Sequence, residues 1–151
     1  MKSFKLVAMV IALAASAFAG DNLKLNPKLD DSSDSQDGPL ITGDNMDAGA
    51  APGKPTYIIL YGEGCYNSKH QAKRTVSLYE KYKGRVQFVV VDLDHQLSPA
   101  QQQVQKKYYR GYIPHVVVLD AAGSPVYNSS GEVEEGVISG VLDKALRQHS
   151  E

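Results

Sequence analysis

Leu60-Tyr61-Gly62-Glu63-Gly64-Cys65-Tyr66-Asn67-Ser68-Lys69 is the stretch on which the reading of this chain turns. It grows out of Thr56-Tyr57-Ile58-Ile59-Leu60-Tyr61, a run rich in β-branched and aromatic residues and apolar at successive positions. That pattern predicts a strand buried on both faces. Gly62-Glu63-Gly64 ends it, and the periodicity then changes. Ala72, Val76 and Tyr79 recur at i, i+4 and i+7, so a helix follows, with Gly84 placed to stop it. Cys65, the sole cysteine, therefore falls where a buried strand passes into a helix. The unpaired N–H groups and partial positive charge of a helix N-terminus favour a thiolate, drawing a thiol pKa below its free value of about 8.5. Lys69 adds positive potential and Glu63 opposes it. The polar residues on either side favour an accessible thiol over one that packs as a small hydrophobe.

Working outward, Val86 to Val91 predicts a second buried strand, ended by Asp92-Leu93-Asp94. Ser98-Pro99-Ala100-Gln101 opens another helix: Ser98 is the N-cap, Pro99 takes the first helical position and Gln101 can close a capping box. Ala100, Val104 and Tyr108 mark its buried face. After Gly111-Tyr112-Ile113-Pro114, His115 to Leu119 reads as a third strand, and Asp120 to Pro125 turns into a fourth, Val126 to Asn128. A last helix is expected from Ser129 or Ser130. Glu132, Glu134 and Glu135 would complement its positive end, and Val133, Val137, Val141 and Leu142 would face inward. A helical crossover makes the first two strands parallel, and a short turn makes the last two antiparallel. Residues 55–151 are thus expected to form an α/β fold, a three-layer α/β/α sandwich with a mixed central sheet.

The N-terminal third reads differently. Lys2 and Lys5 precede an apolar run from Leu6 to Phe18, and Ala17-Phe18-Ala19 supplies a small-x-small cleavage pattern, so residues 1–19 are expected to be a signal peptide. The run is too short to span a bilayer, which takes about 20 residues as a helix. The mature protein is accordingly expected to be exported, periplasmic or secreted, with no membrane attachment after cleavage. Residues 20–54 read as a flexible acidic linker, poor in large apolar residues, with seven aspartates against two lysines over 21–50. Within it, Gly38-Pro39-Leu40-Ile41-Thr42 can form a strand on the domain edge. No long basic block marks a nucleic-acid partner. His70, His95, His115 and His149 lack metal-ligand spacing, and one cysteine cannot build a thiolate zinc site. His115 reads as a strand-edge histidine.

The segment from Leu60 to Lys69 resembles the active site of the thioredoxin superfamily, in which a strand runs into Cys-x-x-Cys at the head of a helix. Gly111-Tyr112-Ile113-Pro114 resembles the family's second signature, a loop ending in a cis-proline beside the reactive cysteine. The resemblance covers residues 55 to about 148 and implies a site built from Cys65, Ser68, Tyr66, Asn67, Ile113 and Pro114. Ser68 stands where the second cysteine would be, Gly64 where a tryptophan is common, and Ile59 and Val90 where a buried acid and its lysine are expected. Monothiol glutaredoxins share Cys-x-x-Ser, but Tyr66 and Asn67 depart from the glycine and phenylalanine usual between the two.

The resemblance implies half a mechanism: a Cys65 thiolate able to form a mixed disulfide, with no thiol in the chain to resolve it. Ser68 is read either as a hydrogen-bond donor to the sulfur or as an ordinary first-turn polar residue. Two functions follow. One is an exported monothiol protein acting on protein thiols or disulfides, with glutathione or a disulfide-linked dimer through Cys65 as further partners. The other is a redox-inactive binding module that holds proteins in the same groove. Neither calls for a cofactor. If the export reading holds, the mature chain begins at Gly20, and mass spectrometry of exported material should find that N-terminus. An intact Met1 overturns it.

Overall fold

The structure, a computed structural model, describes residues 23–25, 41–43, 53–62 and 64–148. The expected signal peptide, most of the linker and His149 lie outside them. Along the chain run β1 (Leu23–Leu25), β2 (Ile41–Gly43), β3 (Thr56–Tyr61), α1 (Tyr66–Tyr82), β4 (Gln87–Asp92), α2 (Pro99–Tyr108), β5 (His115–Leu119), β6 (Pro125–Ser130) and α3 (Glu135–Gln148). β3 is buried at every position, as its apolar run dictates. β4 lies parallel beside it, with Ile59 opposite Val90. β5 runs antiparallel on the other side, with Leu60 opposite His115, and β6 pairs antiparallel with β5 to give the order β4-β3-β5-β6.

Alternation along the strands sorts the core into two faces. Tyr57, Ile59, Phe88, Val90, Val116 and Val118 pack with Leu78 and Tyr82 of α1 and with Ile138 and Leu142 of α3. Ile58, Leu60, Val89, Val91, Val117 and Leu119 pack with Val104 and Tyr108 of α2. This is the three-layer α/β/α arrangement, with a mixed sheet in the middle.

The helices show where local signals hold and where packing overrides them. α2 carries the full capping box, with Ser98 Oγ accepting from Gln101 N–H and the Gln101 side chain accepting from Ser98 N–H. Its buried residues are Gln101, Val104 and Tyr108, with Ala100 only partly covered. α1 ends at Lys83, and Gly84 follows with φ +83°, a conformation that costs glycine little. Its inner face is more polar than the apolar periodicity implied. Ser68, Gln71, Ala72, Thr75, Leu78 and Tyr82 are buried, while Val76 and Tyr79 lie at the margin. Thr75 donates to the Gln71 carbonyl and accepts from Tyr57, whose hydroxyl is 2.7 Å away. Burial pushes the Tyr57 pKa up to about 12 despite that hydrogen bond, so the phenol stays neutral.

α3 departs from expectation. Ser129 and Ser130 belong to β6, paired with Val116 and His115, and the helix starts only at Glu135. The β5 ladder outcompetes the local capping preference of the serines. Glu132 and Glu134 precede the helix rather than decorating its first turn, and the later start changes its phase. Ile138, Leu142 and Ala145 are buried, whereas Val137, expected inside, is 51% exposed. Within the stretch read as linker, β1 and β2 pair with each other and β2 comes close to the edge strand β4. The strand expected over Gly38 to Thr42 is thus Ile41–Gly43, with Leu23–Leu25 as its ladder partner; Gly38, Pro39 and Leu40 lie outside the described residues. The corrected phase of α3 is testable. Leu142→Ala should cost about 2–5 kcal/mol in chemical denaturation, by lost burial and a cavity. Val137→Ala should stay within about 0.5 kcal/mol. Equal costs would contradict this helix phase.

Candidate functional site

Because β3 and β5 are antiparallel, the end of one lies beside the start of the other. The chain leaving β3 turns at Gly62, whose carbonyl accepts from Cys65 N–H at 3.2 Å. A Cβ at Gly62 would fall 2.8 Å from Ile113 Cδ1 and 3.2 Å from a carboxylate oxygen of Asp94, so those side-chain ends would have to move aside.

Cys65 is the N-cap of α1, half-buried, with extended backbone and no side-chain capping hydrogen bond. The backbone N–H groups of Asn67 and Ser68 at the helix start lower the pKa of its thiol. Ser68 is fully buried, its Oγ accepts from Gly62 N–H at 3.5 Å, and its hydroxyl favours the Cys65 thiolate. On the other side Sγ lies 3.8 Å from the Ile113 carbonyl oxygen, to which the protonated thiol donates. The Ile113–Pro114 bond is cis, and the Pro114 carbonyl accepts from Gly131 N–H at 2.8 Å. Partial burial pushes the Cys65 thiol up, but the Ser68 hydroxyl and the two backbone N–H groups outweigh it, and nearby Glu132 pulls the other way. The net result lies below the ordinary thiol value.

The structure therefore brings Cys65, Ser68, Ile113 and Pro114 together, with Asn67 contributing its backbone. Tyr66 is 70% exposed, its ring tilted against that of His70 with centroids 4.3 Å apart. Ile59 and Val90 face each other across the β3–β4 ladder with no exposure, so the core beneath the site is apolar at both positions. His115 is not an edge histidine. It sits on an interior strand, 1% exposed, with Nδ1 2.7 Å from Ser130 Oγ and Nε2 2.6 Å from Asn128 Oδ1. It ties β5 to β6 rather than lining the site.

Two neighbours were not anticipated. Tyr112, beside Ile113, is 74% exposed; its place in Gly111-Tyr112-Ile113-Pro114 was the available signal. Glu132 approaches from the far end of the chain on the loop 131–134. Val133 N–H donates to buried Gln71 Oε1 at 2.9 Å, and Arg74 pairs with Glu132 at 2.9 Å and Glu134 at 2.7 Å.

No protein-family model and no curated protein sequence matches the chain. Solved structures do match in fold. A malarial protein shares 16% identity at a TM-score of 0.52, covering 62% of this chain and 98% of its own. Thioredoxin-2, described as a component of malaria parasite protein secretion machinery, shares 15% at 0.52, covering 60% and 82%. Thioredoxin of Fasciola hepatica shares 19% at 0.50, covering 62% and 83%. The fold of this chain is that of thioredoxin. From the geometry of Ser68, Ser68→Ala should raise the Cys65 pKa and cut the thiolate fraction at pH 7 by roughly threefold. The pH dependence of iodoacetamide alkylation measures this, and an unmoved midpoint would show that the hydroxyl does not serve the sulfur.

Proposed function

We propose that this chain is an exported monothiol thioredoxin-fold protein that exchanges disulfides with partner proteins through Cys65. The observation that carries the reading is the sulfur's setting: half-buried, met by the Ser68 hydroxyl and helix N–H groups, and beside the Ile113 carbonyl. The same donors that favour the thiolate also favour it as a leaving group. In the forward step the Cys65 thiolate attacks one sulfur of a partner disulfide. A new S–S bond forms as the old one breaks, and the second partner sulfur departs as a thiolate that takes a proton from water. Release reverses the roles: a thiol of the partner, or glutathione, deprotonates and attacks the mixed disulfide, expelling Cys65 thiolate. The bend at Ile113 and the exposed Tyr66 offer a partner segment a place to lie. Export rests on the N-terminal pattern read from the sequence.

A specific observation favours the second reading, a binding module without redox turnover. Ile59 and Val90 put no ionisable group beneath the site, and Ser68 provides no resolving thiol. The two readings separate cleanly. Incubated with oxidised glutathione, the protein should gain one glutathione, and Cys65→Ala none. Ser68→Cys, which puts a second thiol three residues along the first helical turn, should close an internal disulfide and gain slow insulin reduction with dithiothreitol. Cys65 that resists alkylation until denaturant is added would sink the exchange reading and leave the binding module.

A further inference from the structure

The loop between β6 and α3 is fixed beside Cys65 more firmly than its length requires. Gly131 N–H donates to the Pro114 carbonyl at 2.8 Å, and Val133 N–H to the buried Gln71 carboxamide at 2.9 Å. The Arg74 guanidinium reaches Glu132 at 2.9 Å and Glu134 at 2.7 Å. On the other side of Glu132 stands His70, its Nδ1 3.5 Å from the carboxylate and its ring tilted against that of Tyr66. Glu132 is therefore a carboxylate held in one place on the rim of the site.

Within the Arg74, Glu132 and Glu134 group one guanidinium serves two carboxylates. Lys69 and Lys73 add positive charge on the same helix. Gly131, next to Glu132, bonds the Pro114 carbonyl while the Ile113 carbonyl lies 3.8 Å from the Cys65 sulfur, which sets the Glu132 loop beside the thiol, and Glu132 opposes negative charge there. Tyr66 and Tyr112, both largely exposed, neighbour Cys65 and Ile113 in the chain and carry rings that attract cations. A partner's residue next to its reactive cysteine must enter this field while its sulfur meets Sγ.

We propose that Glu132 selects partners by charge: it favours protein segments carrying Lys or Arg beside the reactive cysteine and disfavours those carrying Asp or Glu there. The proposal rests on Cys65 acting in disulfide exchange. Arg74, Gln71 and His70 are positioning residues that hold the carboxylate in place.

The test uses three peptides, each with one cysteine activated as a mixed disulfide with thionitrobenzoate and flanked by Lys, Gln or Glu. Attack by Cys65 forms its disulfide with the peptide and releases coloured thionitrobenzoate. The wild type should react faster with the Lys peptide than with the Glu peptide at low salt, the ratio falling as salt screens the field. Glu132→Gln should lower that ratio by roughly threefold, the scale of one partly exposed charge pair. It should move the Lys-peptide and Glu-peptide rates in opposite directions relative to the Gln peptide, and Glu132→Asp should retain most of the preference. An unchanged Lys-to-Glu ratio in Glu132→Gln overturns the proposal. So does a Gln-peptide rate that falls in step with the Lys rate, since the loop's shape and not its charge would then matter. If wild-type Cys65 reacts with none of the peptides and not with iodoacetamide, the exchange reading itself fails and charge selection falls with it.

Discussion

The pairing of β3 with β5, Leu60 opposite His115, is the constraint on which the rest of the molecule depends. Opposed strand directions bring the exit of one strand to the entrance of the other, so Cys65 meets Ile113 across 48 residues of chain. The parallel pairing of β3 with β4 does the complementary work. Parallel neighbours need a long crossover; here it is α1, and its first turn supplies the N–H groups that surround the sulfur. The proline loop comes from one neighbour of β3 and the helix terminus from the other. A sheet with only one kind of pairing would give only half the site.

What assembles there is a sulfur at the head of a helix. The orphan N–H groups of a first turn favour negative charge beside them, and Cys65 meets them with an atom that can also form and leave a disulfide. Ser68 joins two segments of the site, since its oxygen accepts from Gly62 N–H while its hydroxyl lowers the pKa of the thiol. Against these donors stand partial burial and Glu132. The donors win, but nothing in the core below adds to them: Ile59 and Val90 leave protons to travel by way of solvent and the rim.

Much of this was legible in the residues. Two-faced apolar runs located β3, β4 and β5, and Ser98-Pro99-Ala100-Gln101 announced α2 to the residue, because those signals are local and packing agrees with them. The strand-to-helix junction at Cys65 and the Ile113–Pro114 segment were visible for the same reason. Ser129 and Ser130 misled: serine caps helices, yet the β5 ladder and the His115 ring hold both residues in a strand. Glu132 could not be read as a neighbour of Cys65, since its place is set by Gln71, Arg74 and Pro114, three contacts that no periodicity records. His115 was taken for an edge residue because the strand order, which puts β5 inside the sheet, appears only on folding.

The polar inner face of α1 has a consequence for accuracy rather than cohesion. Ser68 reaches the end of β3, Thr75 reaches Tyr57 within β3, and Gln71 reaches the loop before α3. Apolar contacts are nearly indifferent to small slides and rotations, whereas hydrogen bonds are directional. An inner face of leucines would bury more apolar surface and still permit several seatings of the helix. With these three bonds, a shift of one residue, about 100° and 1.5 Å, breaks all of them together. The helix is keyed to its seat like a shaft in a slot, and Cys65 is aimed from below in part by Gln71 and Thr75, which lie a turn or more further along the helix.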